Sequence, residues 1–525
     1  MDTPINAPLR KLPIGIQSFE KLRSENFLYV DKTALIYRLA QAGNPCFLSR
    51  PRRFGKSLLL SSFEAYFQGK KELFRGLAIE KLEKEWLQYP VLHLSLNAEK
   101  YDSREGRIDI LERQLRQWEE LYRTGGEGIT HCGRFMTGIR RACEQTGRRV
   151  VVLIDEYDKP LLRSFDSQEL QHDFRETLTA FYTVLKDADP WLQFVFITGV
   201  TKFAQMGIFS NLNQLNDISF DLAYNTLCGM TRAEIEATFS PELEALAVKS
   251  NATCRQVMDR LTRQYDGYRF TKDEEFTSMY NPFSVLSALQ KRSYGNYWFA
   301  SGTPTFLVEM LQKTDFDLRE MEGIEVNEAS LSDDRADINN PIPMIYQSGY
   351  LTIKDYDERF RMYTLGFPNE EVKYGFLNFV SPFYTPIAQT DTSFYIGKFI
   401  RELESGDVDA FLTRLRCFFA GIPYDLNDRT ERHYQTVFYL VFQLMGQFTE
   451  TEVRSARGRA DAVVKTPDYI YVFEFKLNDS AEAALRQIDE KGYLLPYQAD
   501  GRKVVKVGVA FEKEERNIGE WMIGG

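Results

Sequence analysis

Four short apolar runs constrain this chain more than any other feature. They are NPCFLS (44–49), YPVLHLSL (89–96), RRVVVLIDEYD (148–158) and LQFVFITGV (192–200), the last three read as rich in β-branched residues. A strand that is apolar at nearly every position has both faces covered, whereas a half-exposed strand alternates. Polar stretches of helical character, such as 104–123 and 167–187, lie between the runs. Buried strands separated by helices predict a parallel sheet covered on both faces, occupying residues 1–230.

The chain has 525 residues, too many for one ordinary core, so two or three domains are expected. From 231 the pattern becomes helical, opening on Thr231 with Glu234 three residues later, the spacing of a capping box. Residues 341–378 read as short strands, with YLTIKDYDERFRMYTLG resembling a hairpin. The polar, non-periodic stretch 385–393 is the linker candidate. Beyond it, 396–420 and 431–447 read as helices, followed by strand-like RADAVVKT, YIYVFEFKL and VVKVGVAF, with a helix over 480–492.

Composition excludes several classes. The formal net charge is −10, so no general basic field exists to hold nucleic acid, and any such contact must be a local patch. The six cysteines are scattered without a C-x-x-C pair and the four histidines are dispersed, which suggests neither a zinc site nor a disulfide framework. Reduced thiols, no signal-peptide run and no membrane-length apolar stretch lead to the expectation of a cytoplasmic protein without a membrane partner.

The loop after the first run carries chemistry. FLSRPRRFGKSLLLSS (47–62) has Gly55, Lys56 and Ser57 of a phosphate-binding loop, but Arg50 stands where the first glycine is usual. In such a loop backbone N–H groups wrap phosphates, Lys56 reaches the β and γ phosphates, and Ser57 holds Mg²⁺. The run at 148–158 ends in two acids. Asp155 is suited to the Mg²⁺ shell and Glu156 to orienting the attacking water. FVFITGVTKF offers Thr198 as a γ-phosphate sensor on an intervening strand, or as an incidental buried threonine.

FLSRPRRFGKSLLLS, VVVLIDEYDKP, FITGVTKF, LCGMT and YNPFSVL together resemble the bacterial AAA-ATPase-like family, over roughly residues 10–300. In that family the loop reads R-P-R-R-F-G-K-S, so the resemblance implies that Arg50 is a variant form of the lip. It also implies ATP as ligand, with Arg50, Arg52, Arg53, Phe54, Gly55, Lys56, Ser57, Asp155 and Thr198 around it. Two readings of the arginines stay open: phosphate contact, or solvation and packing on neighbouring acids.

A second constellation lies near the C-terminus. Asp461 opens one strand, and Glu474 and Lys476 stand two apart on the next, so the latter two share a face. Two carboxylates suit a hard divalent cation, and a lysine can orient or deprotonate an attacking water. GRADAVVKTPDYIYVFEFKL resembles the PD-(D/E)XK nuclease superfamily over about 425–520, which implies Mg²⁺ or Mn²⁺ at Asp461 and Glu474 and catalysis with Lys476. The same resemblance implies accessory roles for Glu431, Gln487 and Tyr493, although the spacing from Gln487 to Tyr493 is longer than the superfamily's. Arg454, Arg457 and Arg459 could form a small basic patch or a solvated turn.

The expectation is therefore an α/β chain. It comprises a P-loop NTPase parallel sheet (1–230), a helical to winged-helix-like middle region (231–385) and a PD-(D/E)XK-type α/β nuclease-like domain (395–525). Two functions fit. One is an ATPase whose nucleotide state gates a metal-dependent nuclease on nucleic acid, in defence or mobile-element control by analogy. The other is a nucleotide-switched scaffold with a slow ATPase and a non-cutting module, binding a protein partner or a further copy.

Overall fold

The computed structural model describes residues 10–97, 104–123, 130–164, 167–202, 214–273, 278–301, 307, 311, 317–331, 341–385, 392–421, 431–453, 460–477, 479–512 and 517–525. It divides into two compact units, Met1–Phe316 with Glu322–Glu371, and Asp317–Met321 with Val372–Gly525.

The first unit is built on a five-stranded sheet of β1 (Cys46–Ser49), β2 (Val91–Ser95), β3 (Val150–Asp155), β4 (Leu192–Gly199) and β5 (Asn216–Asp217). Their order is β2-β3-β4-β1-β5 and every pairing is parallel. Each long strand falls inside one of the apolar runs. All of β3 is buried, as continuous apolarity requires. The helix Lys56–Phe67 packs on β2, β3 and β4, with the Phe63 ring 5.2 Å from Phe194 and 4.9 Å from Phe196. Those two phenylalanines are two apart on β4, hence on one face, and burying Phe63 against them contributes roughly 2–3 kcal/mol. That contact fixes where the helix begins, and so where the phosphate loop lies.

Residues after 230 continue the same unit. The capping box is present: Glu234 N donates to Thr231 Oγ1 (3.2 Å) and Thr231 N to Glu234 Oε2 (2.8 Å). Helices Arg232–Thr238, Ser240–Lys249, Cys254–Tyr265 and Pro282–Lys291 bury Ile235, Phe239, Leu246, Leu261 and Val285 in one core with Leu12 from the N-terminal segment. A three-stranded antiparallel sheet follows: β6 (Ile324–Asn327), β7 (Thr352–Asp357) and β8 (Met362–Gly366), in the order β6-β8-β7. The hairpin expected at YLTIKDYDERFRMYTLG is β7–β8. The rest of 341–378 is helical at Ile342–Gln347 and from Glu370, because those stretches bury apolar side chains at helical spacing. Residues 386–391 of the expected linker lie outside the described residues; the helix Thr392–Glu404 starts at its end.

In the second unit β9 (Glu450–Val453), β10 (Ala462–Lys465), β11 (Tyr469–Lys476), β12 (Lys503–Glu512) and β13 (Asn517–Gly524) form a mixed sheet in the order β13-β12-β11-β10-β9. Only β11–β12 is parallel, and the helix Ala481–Glu490 crosses between them. That helix lies so close to β12 that a Cβ on Gly508 would come within 2.4 Å of the Ala481 carbonyl oxygen. The close approach is what lets Gln487 reach the sheet. Phe438, from the helix Glu431–Met445, packs on Phe475 with ring centres 4.2 Å apart.

One buried acid gives the first unit a pH dependence. Glu371 accepts from Ser284 Oγ (2.7 Å) and Trp298 N (2.8 Å), and burial pushes its pKa up to about 7. A raised carboxyl stabilises the fold while protonated and loses that contribution as pH rises from the ordinary carboxylate range through 7. Glu371→Gln is expected to gain about 3 kcal/mol relative to wild type between pH 4.5 and 8. Urea titrations of both proteins across that range measure the difference; parallel curves would refute the assignment.

Candidate functional site

In the first unit the carboxyl ends of β1, β4 and β3 lie side by side, because parallel pairing puts Leu48 opposite Thr198 and Ile154 opposite Ile197. Thr198 is on the strand between the loop strand and the acid-ended strand, and its Oγ1 donates to Asp155 Oδ1 at 2.8 Å, both residues buried. The loop from Arg50 runs to Gly55, at φ +95°, which caps the Lys56–Phe67 helix. The buried Lys56 ammonium donates to the carbonyls of Arg50 (2.9 Å) and Pro51 (3.1 Å). Burial pulls the Lys56 pKa down, against the raising influence of Glu156, Asp155 and Asp158. Glu156, at φ +52°, is half-buried and accepts from Lys159 Nζ at 2.9 Å.

A cavity of about 750 Å³ opens beside this cluster. Gly55, Lys56, Ser57, Glu156 and Asp158 line it, as do the apolar Ile16, Leu28, Val30, Met230 and Phe239. That size lies within the range of small-molecule and cofactor sites, which combine an apolar lining with a few polar groups. Ser57 hydroxyl and Asp155 carboxylate are hard oxygen donors, the chemistry Mg²⁺ prefers.

Two parts of this site escaped the sequence reading. The apolar lining from 16–30 precedes the loop and carries no motif; its apolar spacing was the only available signal. Asp158 is fully buried, accepting from Val200 N (3.0 Å), Thr201 N (2.6 Å) and Thr201 Oγ1 (2.6 Å), while burial raises its pKa. It ties the end of β4 to the turn after β3.

The arginines divide. Arg50, expected at the phosphates, is turned away from this cavity. Its Nη1 donates to the carbonyls of Ser49 and Ser219, both at 2.8 Å, and its guanidinium lies 4.1 Å over the Phe270 ring. The two carbonyls and the aromatic face hold it there at 1% exposure, against a burial cost that lowers its pKa to about 10. Arg52 and Arg53 do line the cavity, Arg53 also lying 4.8 Å over Phe283. Phe54 contributes its backbone to the lip and buries its ring against Tyr268 and Phe270.

In the second unit Asp461 and Glu474 converge. The antiparallel register pairs Ala462 with Phe473, so Asp461 falls opposite Glu474, and Asp461 Oδ2 accepts from Phe475 N at 2.9 Å. Lys476 Nζ donates to Glu474 Oε1 (3.4 Å) and to Gln487 Oε1 (2.5 Å), and Gln487 Nε2 also donates to Glu474 Oε1. Glu474 Oε2 is buried without a hydrogen-bond partner. Burial, then the nearby Asp461, raises the Glu474 pKa to about 7, and burial raises that of Asp461. A buried, unpartnered carboxylate oxygen beside a second carboxylate fits a divalent cation, which would supply the missing partner and a Lewis acid. Among the described residues no group of three or more His, Cys, Asp or Glu could hold a metal. Asp461 and Glu474 are the two described carboxylates that would hold it.

Gln487 joins this cluster. Tyr493 does not: its ring packs into the core with Val463, Ile470, Val472 and Ile488, and it makes no hydrogen bond to the carboxylates. Glu431 opens the helix Glu431–Met445, and its side chain lies outside the described residues, as do Arg454, Arg457 and Arg459.

Sheet order and clustered residues define the class: a P-loop NTPase-type α/β domain in a chain with a PD-(D/E)XK-type domain. Comparison with known proteins agrees. The family described as "Predicted AAA-ATPase" matches residues 13–209, and the PD-(D/E)XK nuclease superfamily matches residues 429–521. A relative from Azotobacter chroococcum mcd 1, "Uncharacterized protein in vnfD 5'region", is 35% identical over 522 residues, covering 97% of this chain and 98% of the relative. The chain belongs to this family, in which an AAA-ATPase-like domain precedes a PD-(D/E)XK nuclease-superfamily domain. Among solved structures, the Aeropyrum pernix ORC2 protein in ADPNP and ADP complexes aligns with 12% identity and a TM-score of 0.25 over 66% of this chain and 93% of that one. A likeness at that score carries no argument.

A Glu474 pKa raised to about 7 would make cation binding here pH-dependent, since an ion would have to displace a proton. Mn²⁺ affinity is expected to rise by up to about tenfold per pH unit below 7 and to level off above it. Calorimetric titration at pH 6, 7 and 8 checks this, and Glu474→Gln should abolish the binding.

Proposed function

We propose that the first unit binds and hydrolyses ATP with Mg²⁺, and that its nucleotide state gates metal-dependent cleavage of nucleic acid by the second unit. The observation carrying this reading is convergence. Thr198 bonds Asp155 at one sheet edge, Asp155 acts electrostatically on Lys56, and Lys56 lines a cavity of about 750 Å³. Asp461, Glu474, Lys476 and Gln487 meet likewise in the second unit.

In this reading Lys56 exchanges its loop carbonyls for phosphate oxygens, and Ser57 and Asp155 would hold Mg²⁺. Glu156 leaves Lys159 to orient the attacking water, while Thr198 keeps Asp155 aligned. In the second unit Asp461 and Glu474 would hold the cation. Lys476, bonded to Gln487, would orient or deprotonate the water that attacks a phosphodiester. Defence or mobile-element control is the setting proposed for the cut.

One observation favours a second reading, a nucleotide-switched scaffold that binds a partner without cutting. Lys476, Gln487 and Glu474 Oε1 bond one another, and a Glu474 pKa near 7 keeps the carboxyl half-protonated at neutral pH.

Lys56→Ala should weaken ATP binding at least tenfold, about 1.4 kcal/mol, whereas Glu156→Gln should keep binding and lose hydrolysis. Fluorescent-nucleotide titration and phosphate release distinguish these effects. Wild-type affinity in Lys56→Ala would remove the loop from the mechanism.

Asp461→Ala and Lys476→Ala should each abolish cleavage of single- or double-stranded DNA or RNA while ATP hydrolysis survives. Only Asp461→Ala should also lose Mn²⁺. Cleavage assays with Mg²⁺ or Mn²⁺, with and without ATP, decide between nuclease and scaffold. A wild type inert on every substrate would favour the scaffold.

A further inference from the structure

Every residue of the arginine-rich lip, Arg50–Phe54, is held by a residue from the segment 229–349. Arg50 lies over Phe270 at 4.1 Å. Pro51 abuts Gly349 so closely that a Cβ there would come within 2.6 Å of the proline ring. The Arg52 carbonyl accepts from the Trp298 indole Nε1 at 3.1 Å. Arg53 lies over Phe283 at 4.8 Å. Phe54 sets its ring edge-on to Tyr268 (4.8 Å), and its carbonyl accepts from Gly229 N at 3.2 Å.

A glycine at position 50 would leave the lip free to adopt its shape around phosphate. Here the shape is imposed from outside, and the imposed carbonyls are functional: those of Arg50 and Pro51 hold the Lys56 ammonium. Those two carbonyls adjoin the groups that the aromatics hold: the next carbonyl, that of Arg52, is on Trp298, and the Arg50 side chain lies on Phe270. Trp298 is itself fixed, its backbone N–H on Glu371 Oε1 at 2.8 Å and its ring 5.2 Å from Tyr350.

We propose that Trp298 is a positioning residue for the nucleotide site, its indole N–H holding the lip at the Arg52 carbonyl in the shape that receives phosphate. Through it the lip passes nucleotide occupancy to the segment 268–299. The proposal rests on reading the cavity as an ATP site. The region after residue 230 thereby acts as a template for the phosphate loop, and the loop is in turn the contact through which that region registers ATP.

Trp298→Phe keeps a ring against Tyr350 and removes the donor together with part of the indole volume. The expected result is a folded protein with a modestly lowered melting temperature and an ATP dissociation constant raised about fivefold, the scale of one lost hydrogen bond. A merely structural role would lower the melting temperature and leave the dissociation constant of the folded protein unchanged. Hydrogen-exchange mass spectrometry of the wild type with Mg²⁺ and a non-hydrolysable ATP analogue supplies an arm that needs no variant. Protection should appear in residues 50–57 and also in 268–273 and 296–301. Protection confined to 50–57, or wild-type affinity in a folded Trp298→Phe, overturns the proposal while leaving the ATP site intact. Failure of the wild type to bind any adenine nucleotide overturns the ATP reading and the proposal with it.

Discussion

The parallel pairing of β4 between β1 and β3 is the constraint on which the first unit depends. Parallel strands end together, so the backbone turns that follow them crowd at one edge. The loop after β1 and the acids after β3 are about a hundred residues apart in sequence, yet only the width of one strand separates them. Thr198, on that strand, bonds Asp155 directly. Moving β4 to the sheet's margin would leave Lys56, Asp155 and Thr198 unable to act on one ligand, whatever their identities.

The lip shows how one substitution can redistribute structural work. Glycine is usual where a chain must turn tightly and approach a phosphate. Arg50 gives up that freedom, and the loop is instead shaped by aromatic faces and by the indole of Trp298. A buried guanidinium with Nε and Nη2 unpartnered is an expensive way to hold a loop, and its lowered pKa records the cost. The return is a lip in contact with Phe270, Phe283, Trp298 and Gly349 of the same unit.

In the second unit, burial makes the chemistry. Glu474 is 3% exposed, opposite another carboxylate, with one oxygen bare of partners. Left alone, such a group stays protonated up to about neutral pH. A cation reverses that preference, because it provides the opposite charge that the surrounding side chains only partly supply. Lys476 and Gln487 are held ready by each other, so the pair and its neighbours form one electrostatic unit.

Much of this was legible in the residues themselves. Continuous apolar runs announced β1, β3 and β4, because a strand covered on both faces has no position to spare for polar groups, whereas β2, at the sheet's margin, alternates half-buried and buried positions. Gly55-Lys56-Ser57, Asp155-Glu156 and Asp461 with Glu474-x-Lys476 are local patterns, and local patterns survive in one dimension. Gln487 was named through the resemblance to the superfamily, although its spacing to Tyr493 is longer than the superfamily's. Side-chain direction was not. Whether Arg50 faces phosphate or Phe270 depends on an aromatic residue 220 positions away, and whether Tyr493 serves the carboxylates or the core depends on how Ala481–Glu490 lies over the sheet. The sequence by itself determined the strands, the loop and the acids, since these follow from neighbours along the chain. Which arginines reach the cavity, which segment lines it and what holds the lip were decided by tertiary packing, where the partners are distant in sequence and only shape brings them together.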